Sequence, residues 1–162
     1  MTKKIAVYPG SFNPITNGHL DIILRGLEIF DQLIVAVAQN VNKKALFDID
    51  ERLALIRETL RDYPQIQVDT FDGLLVDYMV EKGARVVLRG LRAVSDFENE
   101  FQLAQMNHFM NKGMETLFMM TSVHYGYLSS SIVKEVASMR GAIDSFVPPC
   151  VEKALRTKFP AR

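Results

Sequence analysis

The chain has 162 residues, of which 48% are hydrophobic and 23% charged, and its formal net charge at neutral pH is +0. This predicts one globular domain over residues 1–162 and argues against nucleic-acid or membrane-surface binding as the main task. No apolar run approaches the roughly 20 residues of a membrane span. The single cysteine, Cys150, excludes an internal disulfide and is typical of a reducing, cytoplasmic compartment.

Short apolar runs alternate with amphipathic stretches along the chain. The near-continuous apolar run Leu33-Ile34-Val35-Ala36-Val37 is typical of a strand covered on both faces of a sheet. By the same reasoning, strands are predicted at residues 4–8, 33–38, 66–71, 85–89 and 116–120.

Helices are predicted between and after these strands from apolar spacing and end signals. Asp48 with Glu51, and Ser95 with Glu98, match the capping box that begins a helix. Gly83 is a plausible glycine at a helix C-terminus, and we expect Gly141 to end another helix. The predicted helices cover residues 19–30, a stretch from 48 to about 60, residues 74–82, 95 to before 113, 129–139 and 150–158.

The resulting order, βαβαβαβαβα, predicts an α/β fold: a doubly wound domain with a five-stranded parallel sheet and flanking helices. Ligands of such sheets bind at the carboxyl ends of the strands, near the point where the strand order reverses. The loops that follow the strands are therefore the places to look for function.

The loop after the first strand reads YPGSFNPITNGH from Tyr8 to His19. A strand, a glycine-containing loop and a helix N-terminus make an anion site, to which Ser11 adds a hydroxyl and His19 an imidazole. The spacing is neither that of the P-loop nor Gly-x-Gly-x-x-Gly. Taken alone, His19 is also compatible with a capping or surface residue in the first helical turn.

Cations and hydroxyls follow three other strands. Lys43-Lys44 follows the second strand, Arg89-Gly90-Leu91-Arg92 the fourth and Ser129-Ser130-Ser131 the fifth. Guanidinium groups bind phosphate in bidentate fashion, and serines at a helix start can cradle phosphate oxygens. Each group has a simpler interpretation: a solvated loop, surface arginines paired with Asp96 or Glu98, and helix N-caps. Together they favour a phosphate-rich ligand.

These stretches resemble the class I nucleotidyltransferases, whose signature is a Gly-Ser/Thr-Phe-Asp-Pro loop followed by His/Thr-x-Gly-His. The second part stands here as Thr16-Asn17-Gly18-His19. The block from Leu88-Arg89-Gly90-Leu91-Arg92 through Phe97-Glu98-Asn99-Glu100 is similar to that of one family, the phosphopantetheine adenylyltransferases. The resemblance extends over essentially the full length.

The resemblance implies a Rossmann-like fold and transfer of the adenylyl group of ATP to 4′-phosphopantetheine, which gives dephospho-coenzyme A and pyrophosphate in coenzyme A biosynthesis. It further implies Mg²⁺ as cofactor and a homohexamer built as a dimer of trimers. Coenzyme A shares the pantetheine arm and the adenylate, so feedback inhibition by coenzyme A is a reasonable hypothesis.

Residue roles follow from the same resemblance. His19 is the expected catalytic residue, which contacts the α-phosphate and stabilises its transition state. The expected phosphopantetheine site comprises Ser11, Lys43, Leu75 and Arg89. The expected ATP site comprises Ser11, Phe12, His19, Gly90, Leu91, Arg92, Glu100, Tyr125, Gly126, Tyr127, Leu128, Ser129, Ser130 and Ser131.

Three positions depart from the family pattern. Asn13 stands where aspartate is usual, Ser11 where threonine is frequent, and Tyr125 where tryptophan is common. Ser11 keeps the hydroxyl and Tyr125 an aromatic ring, whereas Asn13 lacks the charge. A zinc site is not predicted, because His108 and His124 have no partners at metal-ligand spacing. The sequence does not identify protein ligands for Mg²⁺.

Three rival interpretations share part of these signals. Another adenylyl- or cytidylyltransferase, acting on nicotinamide mononucleotide or glycerol phosphate, shares the first motif and the serine cluster. A non-catalytic nucleotide-binding domain has no need of His19 at an α-phosphate. A class I tRNA synthetase fragment shares the ancestry, but this chain is short and its neutral charge offers no surface for tRNA.

Overall fold

A computed structural model of the protein describes residues 3–39, 44–92 and 94–160, apart from the side chains of residues 94–96. Five strands form one sheet in the order β3-β2-β1-β4-β5, and all neighbouring strands are parallel. This confirms the predicted doubly wound α/β fold. The strands are β1 (Ile5–Gly10), β2 (Gln32–Ala38), β3 (Ile66–Phe71), β4 (Val86–Leu91) and β5 (Glu115–Met120).

Helices lie on both sides of the sheet. In the described part of the chain, none of them is long and apolar enough to cross a bilayer. A short 3₁₀ turn, Val123–Tyr125, follows β5. The helices are α1 (Asn17–Gly26), α2 (Ile49–Thr59), α3 (Leu75–Glu81), α4 (Val94–Met110), α5 (Ser130–Ser138) and α6 (Pro149–Lys158).

Side chains of the central strands alternate between two cores. In β2, Leu33, Val35 and Val37 face the core built with α1, α2, α5 and α6, while Ile34 and Ala36 face the core built with α3. Successive side chains of a strand point to opposite faces. Because both faces are covered, the strand is apolar throughout, as its sequence indicated.

The first helix ends at Gly26, four residues before the predicted end at Phe30. Ile29 N and Phe30 N both donate to Gly26 O, so the chain turns there. The turn carries Phe30 into the core, where it is buried. The apolar residue at position 30 suggested a longer helix. It is apolar because its side chain is buried, and the chain reaches that buried position through a turn.

Two helices end in Schellman motifs with different residues at the left-handed position. After α3, Gly83 has φ +63°, as predicted, and Ala84 N donates to Met79 O. After α5 the left-handed residue is Arg140, with φ +64°, and the predicted Gly141 follows it and closes the helix by donating to Val136 O at 2.9 Å. Gly141 is required there for space, since a Cβ atom would lie 2.5 Å from Val136 Cγ1.

Of the two predicted capping boxes, one is confirmed. Asp48 accepts from Glu51 N, and Glu51 accepts from Asp48 N. The helix predicted to begin after Ser95 begins at Val94, and the side chains of Ser95 and Asp96 lie outside the described residues.

A cleft opens where the strand order reverses, between β1 and β4. β1 pairs with β2 through Gly10, but it pairs with β4 at Ala6–Val86 and Val7–Val87 and the two strands then part. Everything beyond Val7 and Val87 on these two strands therefore borders a gap at their carboxyl ends. This is the position at which doubly wound sheets bind ligands.

Candidate active site

The gap between β1 and β4 is a cavity of about 300 Å³. It is walled by the loop after β1, the end of β4, and the N-termini of α1 and α5. Eleven residues predicted to bind substrates line it: Ser11, Phe12, His19, Arg89, Gly90, Arg92, Glu100, Leu128, Ser129, Ser130 and Ser131.

The side chain of His19 closes a capping box that the sequence analysis missed. Thr16 Oγ1 accepts from His19 N, and His19 Nδ1 accepts from Thr16 N at 3.0 Å. A backbone N–H can only donate, so Nδ1 carries no proton in this arrangement. The neutral imidazole therefore holds its proton on Nε2, the nitrogen that remains for a ligand.

The electrostatic surroundings keep this imidazole neutral. Burial, together with the positive charges of Arg92 and Arg89, lowers the pKa of His19 from 6.5 to about 4. Burial disfavours the charged form, and two nearby cations disfavour it further. At neutral pH, His19 is a hydrogen-bond donor without a charge.

We expect His19 to remain neutral in the folded protein down to about pH 5, because its pKa is about 4. The unfolded chain binds a proton as pH falls below 6.5 and the folded chain does not, so the free energy of unfolding decreases through this window. An NMR titration of the His19 ring checks this, with urea-unfolded protein as the control. A midpoint near the ordinary value in the folded protein would contradict the expectation.

Arg89 makes three hydrogen bonds to residues that the structure describes. Its Nε donates to Glu100 Oε2 at 2.6 Å, its Nη2 donates to Glu100 Oε1, and its Nη1 donates to Pro9 O at 2.7 Å. The sequence predicted these two residues in different sites, and the alternative of an ion pair named Asp96 or Glu98 as partner. The structure pairs Arg89 with Glu100, which fixes the guanidinium at the cavity wall. The side chain of Asp96 lies outside the described residues.

Arg92 follows the end of β4 and lies on the exposed side of the cavity. Its Nη1 donates to Leu128 O at 3.1 Å, which joins β4 to the turn before α5. Gly90 lies between the two arginines against Ile22 of α1, where a Cβ atom would come within 3.1 Å of Ile22 Cγ1. The glycine thus allows α1 to approach β4 closely.

Two of the three serines before and at the start of α5 make hydrogen bonds that position this helix. Ser129 is the N-cap, since its Oγ accepts from Ile132 N at 3.1 Å. Ser130 Oγ donates to Pro14 O at 2.7 Å and so ties the start of α5 to the loop after β1. At least one serine was expected to be an N-cap, and this is confirmed.

Arg52 of α2 holds the loop after β1 through a hydrogen bond to its backbone. The sequence analysis did not identify this residue. It is 8% exposed, and its Nη1 donates to Ser11 O at 3.0 Å while its Nε donates to Asp48 O. Burial lowers its pKa, with Asp48 opposing. The packing of α2 against the loop buries it.

Asn13, one of the three departures from the family pattern, makes a hydrogen bond to the backbone. Its Oδ1 accepts from Phe47 N at 3.1 Å, which connects the loop after β1 to the residue before the α2 cap. An amide oxygen serves this purpose as a carboxylate oxygen would. The peptide bond between Asn13 and Pro14 is cis.

Five predicted site residues do not line the cavity, and one lies outside the described residues. Leu75 begins α3 and packs against the core on the other face of the sheet. Tyr125 and Tyr127 border a neighbouring surface pocket with Phe146. Leu91 and Gly126 line neither pocket, and Lys43 lies outside the described residues. The ligand contacts of all six stay predictions.

The described residues contain no group of three or more His, Cys, Asp or Glu side chains that could hold a metal ion. Within the cavity the acidic group is Glu100, which is paired with Arg89. The described part of the site therefore does not fit a magnesium ion held mainly by protein carboxylates.

A sheet of this order, with cations, helix N-termini and a neutral imidazole around the cleft, is the arrangement of a nucleotidyltransferase. A family model described as cytidylyltransferase-like matches residues 7–136. A solved structure of a nicotinic acid mononucleotide adenylyltransferase from Plasmodium falciparum, in complex with NaAD, shares the fold with a TM-score of 0.66 at 15% identity. The alignment covers 98% of this chain and 96% of that one.

Relatives of high sequence identity show which family of nucleotidyltransferases the chain belongs to. A phosphopantetheine adenylyltransferase from Syntrophotalea carbinolica is 78% identical over 160 residues, which are 99% of this chain and 96% of the relative. Another from Geotalea daltonii is 67% identical over 159 residues, covering 98% and 99%. The chain belongs to the phosphopantetheine adenylyltransferase family, which confirms the resemblance seen in the sequence.

Proposed function

We propose that the protein transfers the adenylyl group of ATP to 4′-phosphopantetheine in the cytoplasm, as a step of coenzyme A biosynthesis. A phosphate oxygen of the acceptor forms a bond to the α-phosphorus, and the bond from that phosphorus to the bridging oxygen of pyrophosphate breaks. The observation that carries the proposal is the neutral His19 donor in a cavity with Arg89 and Arg92, in a chain 78% identical to a phosphopantetheine adenylyltransferase.

The geometry supports a mechanism of positioning and charge stabilisation. The acceptor phosphate is an anion at neutral pH, so the reaction needs no general base. Its difficulties are the repulsion between two anions and the charge that grows on the α-phosphate oxygens. His19 Nε2 donates a hydrogen bond to that developing charge, and Arg89 and Lys43 offset the repulsion at the acceptor.

Binding of the two substrates is assigned on the same basis. Ser11, Lys43, Leu75 and Arg89 bind phosphopantetheine. The nucleotide is bound by the loop after β1 and by residues that follow β4 and β5: Ser11, Phe12, His19, Gly90, Leu91, Arg92, Glu100 and Tyr125 to Ser131.

Mg²⁺ is part of this proposal as a companion of ATP. Magnesium is commonly bound through substrate phosphates with few protein ligands. No step of the mechanism above depends on a protein-bound ion. Omitting Mg²⁺ from the assay described next should abolish turnover.

The test is pyrophosphate release from ATP and Mg²⁺ with three acceptors in parallel. Phosphopantetheine is expected to support release, whereas nicotinamide mononucleotide, and glycerol 3-phosphate with CTP, are not. Release with one of the other acceptors would leave the class intact and overturn the assignments of Lys43, Leu75 and Arg89. No release with any acceptor would favour the non-catalytic interpretation.

Coenzyme A is proposed as a feedback ligand of the same cavity. It carries both the pantetheine arm and the adenylate, so it should compete with both substrates. Competition against both in the release assay is the expected result, and a lack of inhibition at millimolar coenzyme A would reject the idea.

The surface of α4 supports assembly of several copies, proposed to be a homohexamer. Six large apolar side chains of this helix are at least 42% exposed: Phe97, Phe101, Leu103, Met106, Phe109 and Met110. So many exposed apolar side chains on one helix are typical of an interaction site. A second copy of this chain is the occupant that the family resemblance favours.

Introducing a charge on α4 should therefore break the assembly. Met106→Glu is expected to shift the protein to a smaller species in sedimentation velocity, because a buried unpaired carboxylate disfavours an apolar interface. Met139→Glu, at the C-cap of α5, is the control, since Met139 is similarly exposed, at 69% against 57% for Met106. If wild type is already monomeric, or if both variants behave alike, α4 is not the interface.

A further inference from the structure

Tyr8 is a residue of the cavity wall that the sequence analysis did not assign to the site. It is the first residue of β1 beyond the last pair with β4, so it lies where the two strands part. Its side chain is 6% exposed. Its ring lies edge-on to Phe12 at 5.4 Å and within 6.4 Å of the His19 ring, which fixes its direction.

The hydroxyl of Tyr8 has no hydrogen-bond partner among the described residues, although a buried phenol usually finds one. All fully buried side-chain nitrogen and oxygen atoms in the described part of the chain do have partners. The oxygen of Tyr8 is therefore not sealed inside the protein. It opens to the cavity that the residue lines.

The surroundings of this hydroxyl suit an anionic ligand. The oxygen lies beside the backbone of Gly90, where an added Cβ atom would be 3.7 Å away. Arg89 reaches across to the carbonyl of Pro9, the next residue of β1. Burial raises the pKa of Tyr8 well above its ordinary value, even though Arg89 and Arg92 lower it. The phenol therefore keeps its proton and can donate without adding charge.

We propose that Tyr8 is a further substrate-binding residue, whose hydroxyl donates a hydrogen bond to the acceptor's phosphate group beside Arg89. This inference rests on the proposed function and extends it. Of the two arginines, Arg89 is closer along the chain contacts to Tyr8, because it donates to the carbonyl of Pro9, the residue next to Tyr8, whereas Arg92 donates to Leu128 O on the opposite wall. The Tyr8 hydroxyl therefore lies on the side of the cavity where Arg89 is proposed to bind the acceptor.

The test is Tyr8→Phe, which removes the hydroxyl and keeps the ring that packs on Phe12. The KM for phosphopantetheine should rise by about tenfold or more, the scale for losing a hydrogen bond to a charged group. The KM for ATP should stay close to that of wild type. Calorimetric binding of phosphopantetheine without ATP should weaken by a similar factor.

Tyr63→Phe is the matched control, because Tyr63 packs at the base of the core away from the cavity. KM does not depend on the fraction of folded enzyme, so a less stable Tyr8→Phe sample still gives the answer. Unchanged KM for phosphopantetheine, or a rise confined to ATP, would overturn the assignment. An inactive wild type would instead overturn the proposed function itself.

Discussion

Replacing His19 by alanine is expected to lower kcat by about 10²–10³, the scale for losing one preorganised transition-state donor. The structure gives the reason: Thr16 N donates to Nδ1, so the proton lies on Nε2, and the low pKa keeps the ring neutral. Binding of ATP should change less than kcat, because the charge on the α-phosphate grows in the transition state. Single-turnover measurement of pyrophosphate formation checks this.

The same substitution also removes half of a capping box, so its effect on stability has to be distinguished from its effect on catalysis. His19→Gln is suited to this, since glutamine at the third helical position can accept from Thr16 N as the histidine does. We expect it to recover the stability lost in His19→Ala. His108→Ala, on α4, is the control for histidine loss outside the cavity. A near-normal kcat in His19→Ala would remove His19 from the mechanism.

Replacing Arg89 by alanine is expected to raise the KM for phosphopantetheine by about tenfold to a hundredfold, and to raise the KM for ATP less. Two effects act together. The acceptor loses a guanidinium, and Glu100 loses its partner and places an uncompensated carboxylate at a cavity meant for phosphates. Steady-state kinetics with each substrate varied in turn measures the difference.

The double variant Arg89→Ala with Glu100→Gln separates these effects. If repulsion by Glu100 contributes, the double variant should bind phosphopantetheine better than Arg89→Ala alone. With Glu100→Gln as the second single variant, the cycle gives the coupling energy between the two residues. Arg85→Ala is the control, because Arg85 is exposed and lies outside the cavity. A larger effect on ATP than on phosphopantetheine would mean that the two phosphate sites are interchanged.

Much of the fold could be predicted because local patterns and the final packing agree. The apolar run of β2 indicated a strand covered on both faces, and its side chains do alternate between two cores. Asp48 and Glu51 indicated a helix start, and both hydrogen bonds are present. The first helix was predicted too long because Phe30 is buried by a turn, and apolar spacing does not distinguish a turn from another helical turn.

The candidate site could be predicted at positions where the residue type itself indicates phosphate binding or proton donation. Arginines, serines and a histidine after strands indicate an anion site wherever parallel strands end at one edge. Tyr8 and Arg52 gave no such signal: one is a strand residue with apolar neighbours, and the other an arginine on a helix. Both residues reach the site only because elements distant in the chain pack together. The sequence around each residue does not show that packing.

The amino-acid sequence was sufficient to predict the order of strands and helices, the loops that carry phosphate-binding groups and the family. These depend on side-chain chemistry and short-range spacing. Three features became visible only in the three-dimensional structure: β1 and β4 part after Val7, Arg89 pairs with Glu100, and His19 holds its proton on Nε2. Each of these is a matter of distance and direction between groups, which packing fixes and composition does not.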